Sequence, residues 1–486
     1  MRHYELCLPI FTFMLVSMSI TSMSSADSPA QPAKVDADGE KNAATVFVLS
    51  PAAEPVPALE LQLLPPFLDQ RPGNAAVHYG KVYAEQLTFL SDKATWSRIR
   101  AVLDTPIDKI EVTEVDQRLL ASRSIFEPLE RAAQCERCDW QLPLRNTPYW
   151  EILLPEVQQS RSCARFLAAR ARLQIKQRDF DGAIRTLQSG YALARHVSDS
   201  PVIVSTLVGI AIAHTMSDQV RAMSQQPGAP NLYWALASLP QPLSKYRRGL
   251  EAERNGIYLQ FPELQHPEDS KRSEAYWKTI LKQAWEQTQE FNQPAKRQRT
   301  DTLTTFVSRA YPAGKKSLIA GGMDVDSVES MPAAQVVLLH SLRAYELIRD
   351  EQFRWAYLPY PVAARKLAEL DAKLKQEIKR TDVLPIAALL LPSMGALRQS
   401  LVRESREIKV LQAMEAIRMY SAMHAGALPA RLEDCPVPVP DDPVTGASFE
   451  YDRQGDVATL RGPSLRGAPL NLEIHVAAAK ADSQAQ

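Results

Sequence analysis

From Asn74 to His424, apolar residues recur mainly at three- and four-residue spacing, the period of a helix with one buried face. The pattern predicts helices over about 75–90, 113–134, 155–177, 180–197, 201–224, 243–260, 271–292, 332–357, 361–380 and 396–424. Thr113 before Asp116, and Ser198 before Pro201, are helix-start signals. Alternating strand patterns are almost absent before residue 445. The expected fold is therefore mainly α, a multi-helix array with a small C-terminal α+β module. Ala171, Phe180, Ala183, Leu187 and Gly190 sit near the small and aromatic positions of a tetratricopeptide-like hairpin. No second copy follows at a 34-residue offset. An isolated hairpin and a degenerate repeat array both stay open.

Two apolar runs, 202–213 and 383–394, are too short to span a bilayer. Both read as central core helices, with Val204, Leu207, Val208 and Ile212 expected among the least exposed residues. No transmembrane span is expected in the mature chain.

Around residue 396 the pattern changes. A long helix ends near His424, with Gly426 as its C-cap. A Pro-rich crossing carries Pro436, Pro438 and Pro440. Ser448 to Tyr451 and Val457 to Leu460 flank Arg453-Gln454-Gly455, which reads as a β-hairpin. The predicted module covers 396–466, with 467–486 as a tail.

Composition places the N-terminus. Proline outnumbers glycine, 35 to 18, which fits helices stopped by proline better than glycine-turned strands. Eight prolines fall within 29–72, so 27–72 reads as a Pro/Ala-rich linker. Residues 46–49 and 59–64 are its apolar patches, candidates for docking on the helical body, 73–395. Residues 1–26 read as a signal peptide: Arg2, an apolar stretch over 8–20, and Ser24-Ser25-Ala26 as a cleavage site after Ala26. Retention as an N-terminal anchor is the alternative. Either way the chain is expected to be exported, to the periplasm or the cell surface. Lys+Arg and Asp+Glu both number 56. Arg2 and Glu5 would leave together with the signal, so the balance persists. Nucleic-acid binding needs a basic excess and is not expected.

Candidate chemistry is sparse. Cys135, Cys138 and Cys163 are candidates for a structural disulfide, with free thiols as the alternative and Cys435 as the fourth mature cysteine. His196, His214 and His340 lie in apolar helical stretches and read as hydrogen-bonded core or groove histidines. Gly314-Lys315-Lys316-Ser317 lacks the leading glycine of a phosphate loop. Pro392-Ser393-Met394-Gly395 lacks that of a nucleophile elbow. No catalytic residue, metal ligand or cofactor is expected. Trp234, Arg247, Arg248 and Glu251, with Arg354, Trp355, Tyr357 and Tyr360, form two polar-aromatic clusters of the residue types enriched at binding surfaces.

Tyr420, Leu428-Pro429, Leu432, Asp442-Pro443, Gly446, Phe449 and Tyr451 give residues 410–464 a pattern that resembles the C-terminal part of type II secretion major pseudopilins. That resemblance implies helix, loop and small sheet, with a calcium-binding loop for which Asp441, Asp442, Asp452 and Asp456 are the available oxygens. The prepilin-peptidase signal is missing. The mature chain also resembles exported helical proteins of planctomycete-type bacteria, through Cys138-Asp139-Trp140, Ala169-Arg170-Ala171-Arg172-Leu173, Ala194-Arg195-His196, Leu232-Tyr233-Trp234-Ala235-Leu236 and Arg247-Arg248 to Glu253. That family implies export and helices, and no activity. The leading expectation is a non-enzymatic helical scaffold or interaction protein of the cell envelope, with an envelope protein as partner. The alternatives are a hydrolase-type enzyme with a dispersed active site, and an adaptor to envelope machinery through the C-terminal module.

Overall fold

A computed structural model describes residues 44–85, 92–268, 271–291, 302–377, 379–386, 392–465 and 468–477. The expected signal, its Ala26 cleavage site and residues 27–43 of the expected linker lie outside these residues. The described residues begin with β1 (Thr45–Leu49) and β2 (Arg71–Asn74). The helices α1 (Ala75–Glu85), α2 (Lys93–Asp104), α3 (Glu114–Ala121) and α4 (Arg123–Ala133) follow, then β3 (Cys135–Arg137). Next come the long α5 (Pro155–Lys176), α6 (Phe180–Ser198) and α7 (Ile203–Ser224), and the short α8 (Tyr233–Ala237), α9 (Arg247–Arg254) and α10 (Gly256–Gln260). Then run α11 (Glu274–Phe291), α12 (Leu303–Ala320), α13 (Val325–Ser330), α14 (Ala333–Ala356), α15 (Tyr360–Glu377) and α16 (Pro392–Met423). Three strands, β4 (Glu450–Gln454), β5 (Val457–Leu465) and β6 (Ala468–Val476), close the described chain. The protein is mainly α with a small C-terminal sheet.

Local chemistry sets several helix boundaries. Thr113 and Asp116 form a capping box at the start of α3. Asp179 caps α6 through Gly182 N, and Pro155 opens α5 where its missing N–H costs nothing. Ser198 does not start a helix. It is the last residue of α6, and its hydroxyl donates to Arg195 O. Val202 stands at the N-cap of α7 without a side-chain cap.

The chain forms two compact units. The first comprises residues 1–142, 151–250 and 399–486; the second, 143–150 and 251–398. In the first, α5, α6 and α7 pack pairwise. Ala171, Ala183 and Leu187 are fully buried in this hairpin. A Cβ on Gly190 would lie 2.0 Å from Met216 Sδ, and one on Gly209 would lie 2.6 Å from Ala194 O. Glycine at both positions lets α6 and α7 approach closely. By length and composition α7 could cross a membrane, but most of its surface is buried inside the protein. Val204, Val208 and Ile212 are buried as expected, whereas Leu207 is only half-buried. The 383–394 run is not one helix: 383–386 precede α16, 387–391 lie outside the described residues, and α16 starts at Pro392. In the second unit, α14 is central and α11, α12 and α15 pack on it. Leu318, Val328, Val336 and Leu339 form one of its apolar clusters.

The sheet order is β1-β6-β5-β4. The hairpin β4–β5 turns at Gly455, whose φ of +65° suits glycine. Two parts of the sheet depart from the sequence reading. Residues 468–476, expected in a tail, form β6, and Thr45–Leu49, expected in a linker, form β1 parallel to β6. Leu49, Leu460 and Ile474 are buried on the inner face, so apolar burial draws these distant segments together. Beyond β1, residues 50–72 also pack, with Leu63 fully buried.

One side chain joins these parts of the first unit. Arg418 of α16 is 1% exposed. Its Nε donates to Ser50 O at 2.7 Å, and its Nη atoms reach Ala229 O at 2.8 Å and Pro230 O at 3.1 Å. Glu415, one turn earlier, neutralises it at 2.6 Å and also accepts from Leu232 N. Truncating one member of such a buried pair leaves the other charge and several carbonyls without partners. Arg418→Met should therefore lower unfolding free energy by about 3–5 kcal/mol, read by urea denaturation. A loss below about 1 kcal/mol would show that the hub is dispensable.

Candidate functional site

The expected binding-surface residues fall in both units. In the first, Trp234 stands edge-on to Tyr233, with centroids 5.0 Å apart, and its Nε1 donates to Glu54 Oε1 at 2.5 Å. Tyr233 packs with Ala416, Met419 and Val437 in a core cluster. Arg247 and Arg248 are exposed at the start of α9. In the second unit, Tyr357 OH donates to Glu251 Oε1 at 2.7 Å. Glu251 thus has an aromatic partner. Arg354 and Trp355 both bind Glu351, and Tyr360 begins α15. These residues mainly fix helix ends.

A dense charged cluster among the described residues contains His214, the only member that the sequence reading singled out. On α7, His214, Asp218 and Arg221 follow at spacings of four and three residues. They share a face. On α16, Glu404 and Glu407 are three apart. His214 Nδ1 donates to Glu407 Oε2 at close range, and Arg221 Nη2 donates to Glu407 Oε1 at 2.6 Å. Arg221 also holds Asp218 at 2.5 Å. Glu404 accepts from both the backbone N and the hydroxyl of Ser244. Burial pulls His214 down, but the charge and hydrogen bond of Glu407 prevail and leave it raised. Burial would raise Glu407, yet His214 and Arg221 hold it at about 2. Glu404 and Asp218 are raised, chiefly by burial. A raised His214 favours imidazolium, a proton donor and positive anchor, over a general base.

A second cluster surrounds the cysteines. Tyr79 stacks on Trp140 at 5.7 Å, and Tyr83 stacks on Trp140 at 6.4 Å. Tyr79 OH donates to His196 Nδ1 at 2.9 Å, with the ring's other nitrogen on the Cys135 backbone. His196 is the satisfied core histidine expected; burial lowers it to about 4. Cys135, Cys138 and Cys163 are buried beside Tyr79, but as free thiols, so the expected disulfide is absent from the structure. Burial raises all three thiols, Cys163 to about 12, which suppresses the thiolate needed for attack or metal binding.

The C-terminal module carries a groove of about 430 Å³. Pro436, Pro438, Val439 and Phe449 supply apolar walls, with Glu433 and Ser448 as polar lining. Asp442, within this module, is buried. Its carboxylate accepts from Arg406 at 2.7 Å and from Val444 N at 2.9 Å. Arg406 also donates to Pro463 O at 2.8 Å. The calcium role implied for Asp442 is thereby replaced by a buried ion pair. Among the described residues, no group of three or more His, Cys, Asp and Glu is arranged to hold a metal.

The His214–Glu407 pair links stability to pH. A raised His214 contributes stability that is complete below its unfolded value of 6.5 and is lost as pH rises through its folded value. Glu407 contributes above 4.5 and is lost as pH falls through about 2. Glu407→Gln, which weakens charged hydrogen bonds in a partly exposed pair, should cost about 2 kcal/mol near pH 6. His214→Gln should flatten the fall in Tm as pH rises above 6.5. Parallel Tm profiles for His214→Gln and the parent would remove the pair from the pH response.

Comparisons with protein-family models, with curated proteins and with solved structures give no match.

Proposed function

We propose that this chain is an exported, non-enzymatic helical scaffold of the cell envelope that captures a protein partner through its C-terminal module. The observation carrying this reading is the groove lined by residues 432–449. Its walls are proline, valine and phenylalanine, and among its lining residues only Glu433 is a carboxylate. Such a surface suits an apolar anchor from an extended partner segment. The charged groups beneath it hold structure: Arg406 ties Asp442 and Pro463 to α16, and Arg418 ties Ser50 and Ala229 to the same helix. Export is supported by Arg2, the apolar stretch 8–20 and Ser24-Ser25-Ala26.

The His214–Glu407 pair is the observation that favours an acid–base enzyme instead. Its lowered carboxyl and raised imidazole suit a standing ion pair better than proton exchange near neutrality.

Two measurements test the proposal. N-terminal sequencing of chain recovered from the periplasm or surface should begin at Asp27; recovery only from the cytoplasm would end the export reading. Tagged chain cross-linked in the envelope should retain a defined protein that the Pro436→Glu/Pro438→Glu double variant loses about tenfold or more. An unchanged captured set would remove the groove as the docking site.

A further inference from the structure

The groove lined by residues 432–449 holds many acceptors and few donors. Pro436, Pro438 and Pro440 alternate with Val437 and Val439 along one wall, and proline has no N–H. Every position of that wall carries a carbonyl, and only the two valines carry a backbone donor. Cys435 N, at its start, is already bonded to Leu432 O at 3.2 Å. The Ser448 hydroxyl is spent on Asp441 Oδ1 at 3.1 Å. Burial raises the Cys435 thiol to about 12, so it stays neutral.

Charge is uneven there as well. The chain as a whole is neutral, yet residues 431–450 hold Glu433, Asp434, Asp441, Asp442 and Glu450 against Arg431. Three of these carboxylates are matched. Arg406 holds Asp442 at 2.7 Å, Arg431 reaches Asp434 at 3.4 Å, and Glu450 stands opposite Arg461 in the β4–β5 register. Glu433 lines the groove, and Asp441 stands at its rim through the bond from Ser448. Both are exposed, and neither has a basic partner among the described residues. Lys409 of α16 is half-buried and donates to Gln412 Oε1 at 3.4 Å.

We propose that this groove takes an arginine side chain from an extended segment of the protein partner. The assignment rests on the docking reading above and adds the chemistry of the side chain bound. An arginine brings what the groove lacks: donors and a positive charge, with no acceptor of its own. Its aliphatic stem lies on proline and valine while the guanidinium meets Glu433 and Asp441. Its planar fork matches a carboxylate with two parallel bonds, and it is more weakly hydrated than an ammonium. An acidic segment would meet both carboxylates as like charges and find few donors in the wall. A wholly apolar anchor would gain nothing from either carboxylate. Because Glu433 and Asp441 keep contact with water, they act on selection and association rate more than on affinity.

The test passes a fully randomised hexapeptide library over the purified, immobilised chain and sequences the retained pool. Arginine should be enriched about fivefold, the scale of one exposed ion pair. Raising NaCl from about 0.05 to about 0.5 M should erase that enrichment. Glu433→Gln/Asp441→Asn should lose it too, with circular dichroism and Tm unchanged because both side chains are exposed. Glu433→Lys/Asp441→Lys should enrich aspartate and glutamate instead, a switch that misfolding cannot produce. Lysine enriched as strongly as arginine would overturn the guanidinium assignment. A retained pool rich only in apolar residues, or one unchanged in the charge-reversed variant, would overturn it while leaving the groove as a docking site. Retention no greater than on bare support would overturn both the arginine and the docking groove.

Discussion

The first unit depends on a positive charge placed where water cannot reach it. Arg418 lies inside the protein and is tolerable there because acceptors surround the edges of its guanidinium: Glu415, Ser50 O, Ala229 O and Pro230 O. A planar fork of five donors holds several chain segments in fixed geometry, where a lysine offers three rotatable donors. The exit of β1 and the connection from α7 to α8 are thereby fixed to α16. Asn231 adds bonds to Glu415 O and Ala52 O at the same junction. The partners lie far apart in sequence, so this junction forms only when the unit closes.

The same helix repeats the device along its length. Arg406 meets Asp442 and Pro463 under the sheet, while Glu404 and Glu407 meet Ser244, His214 and Arg221. A Cβ on Gly462 would sit 2.1 Å from Arg406 Nη2, so glycine is what lets β5 pass beside that guanidinium. α16 is thus a central helix with a charged interior, surrounded where its composition suggests a solvated surface. Replacing such pairs by apolar residues is often neutral or stabilising in other proteins. Their value here is positional: they choose which segments meet.

Legibility followed the range of the interaction. Helices such as α5 and α6 were readable because a buried stripe repeats every three to four residues. Thr113 and Asp116 were readable because a capping box is local. The hairpin β4–β5 was readable from alternation and Gly455. β1 and β6 were not, because their parallel pairing joins residues 45–49 to 472–476, and neither segment marks its partner. Of the site, His196 was read as a satisfied core group, but its bond to Tyr79 spans 117 residues. His214, Asp218 and Arg221 share a helix face that spacing could have revealed. Glu407, which gives that face its charge partner, lies 193 residues beyond His214.

The sequence by itself determined the class of the fold, the positions of most long helices, the C-terminal hairpin and the balanced charge. All of these arise from periodicity, turn residues or composition, which act within a few residues or need no geometry. Only the tertiary structure decided that Arg418 is buried, that Asp442 serves an arginine, that the three cysteines near Tyr79 stay as thiols, and that Phe67 and Leu68 are left exposed. Burial is a property of the assembled chain. A charged residue reads as surface and a phenylalanine as core until the long-range contacts that cover one and leave the other bare have formed.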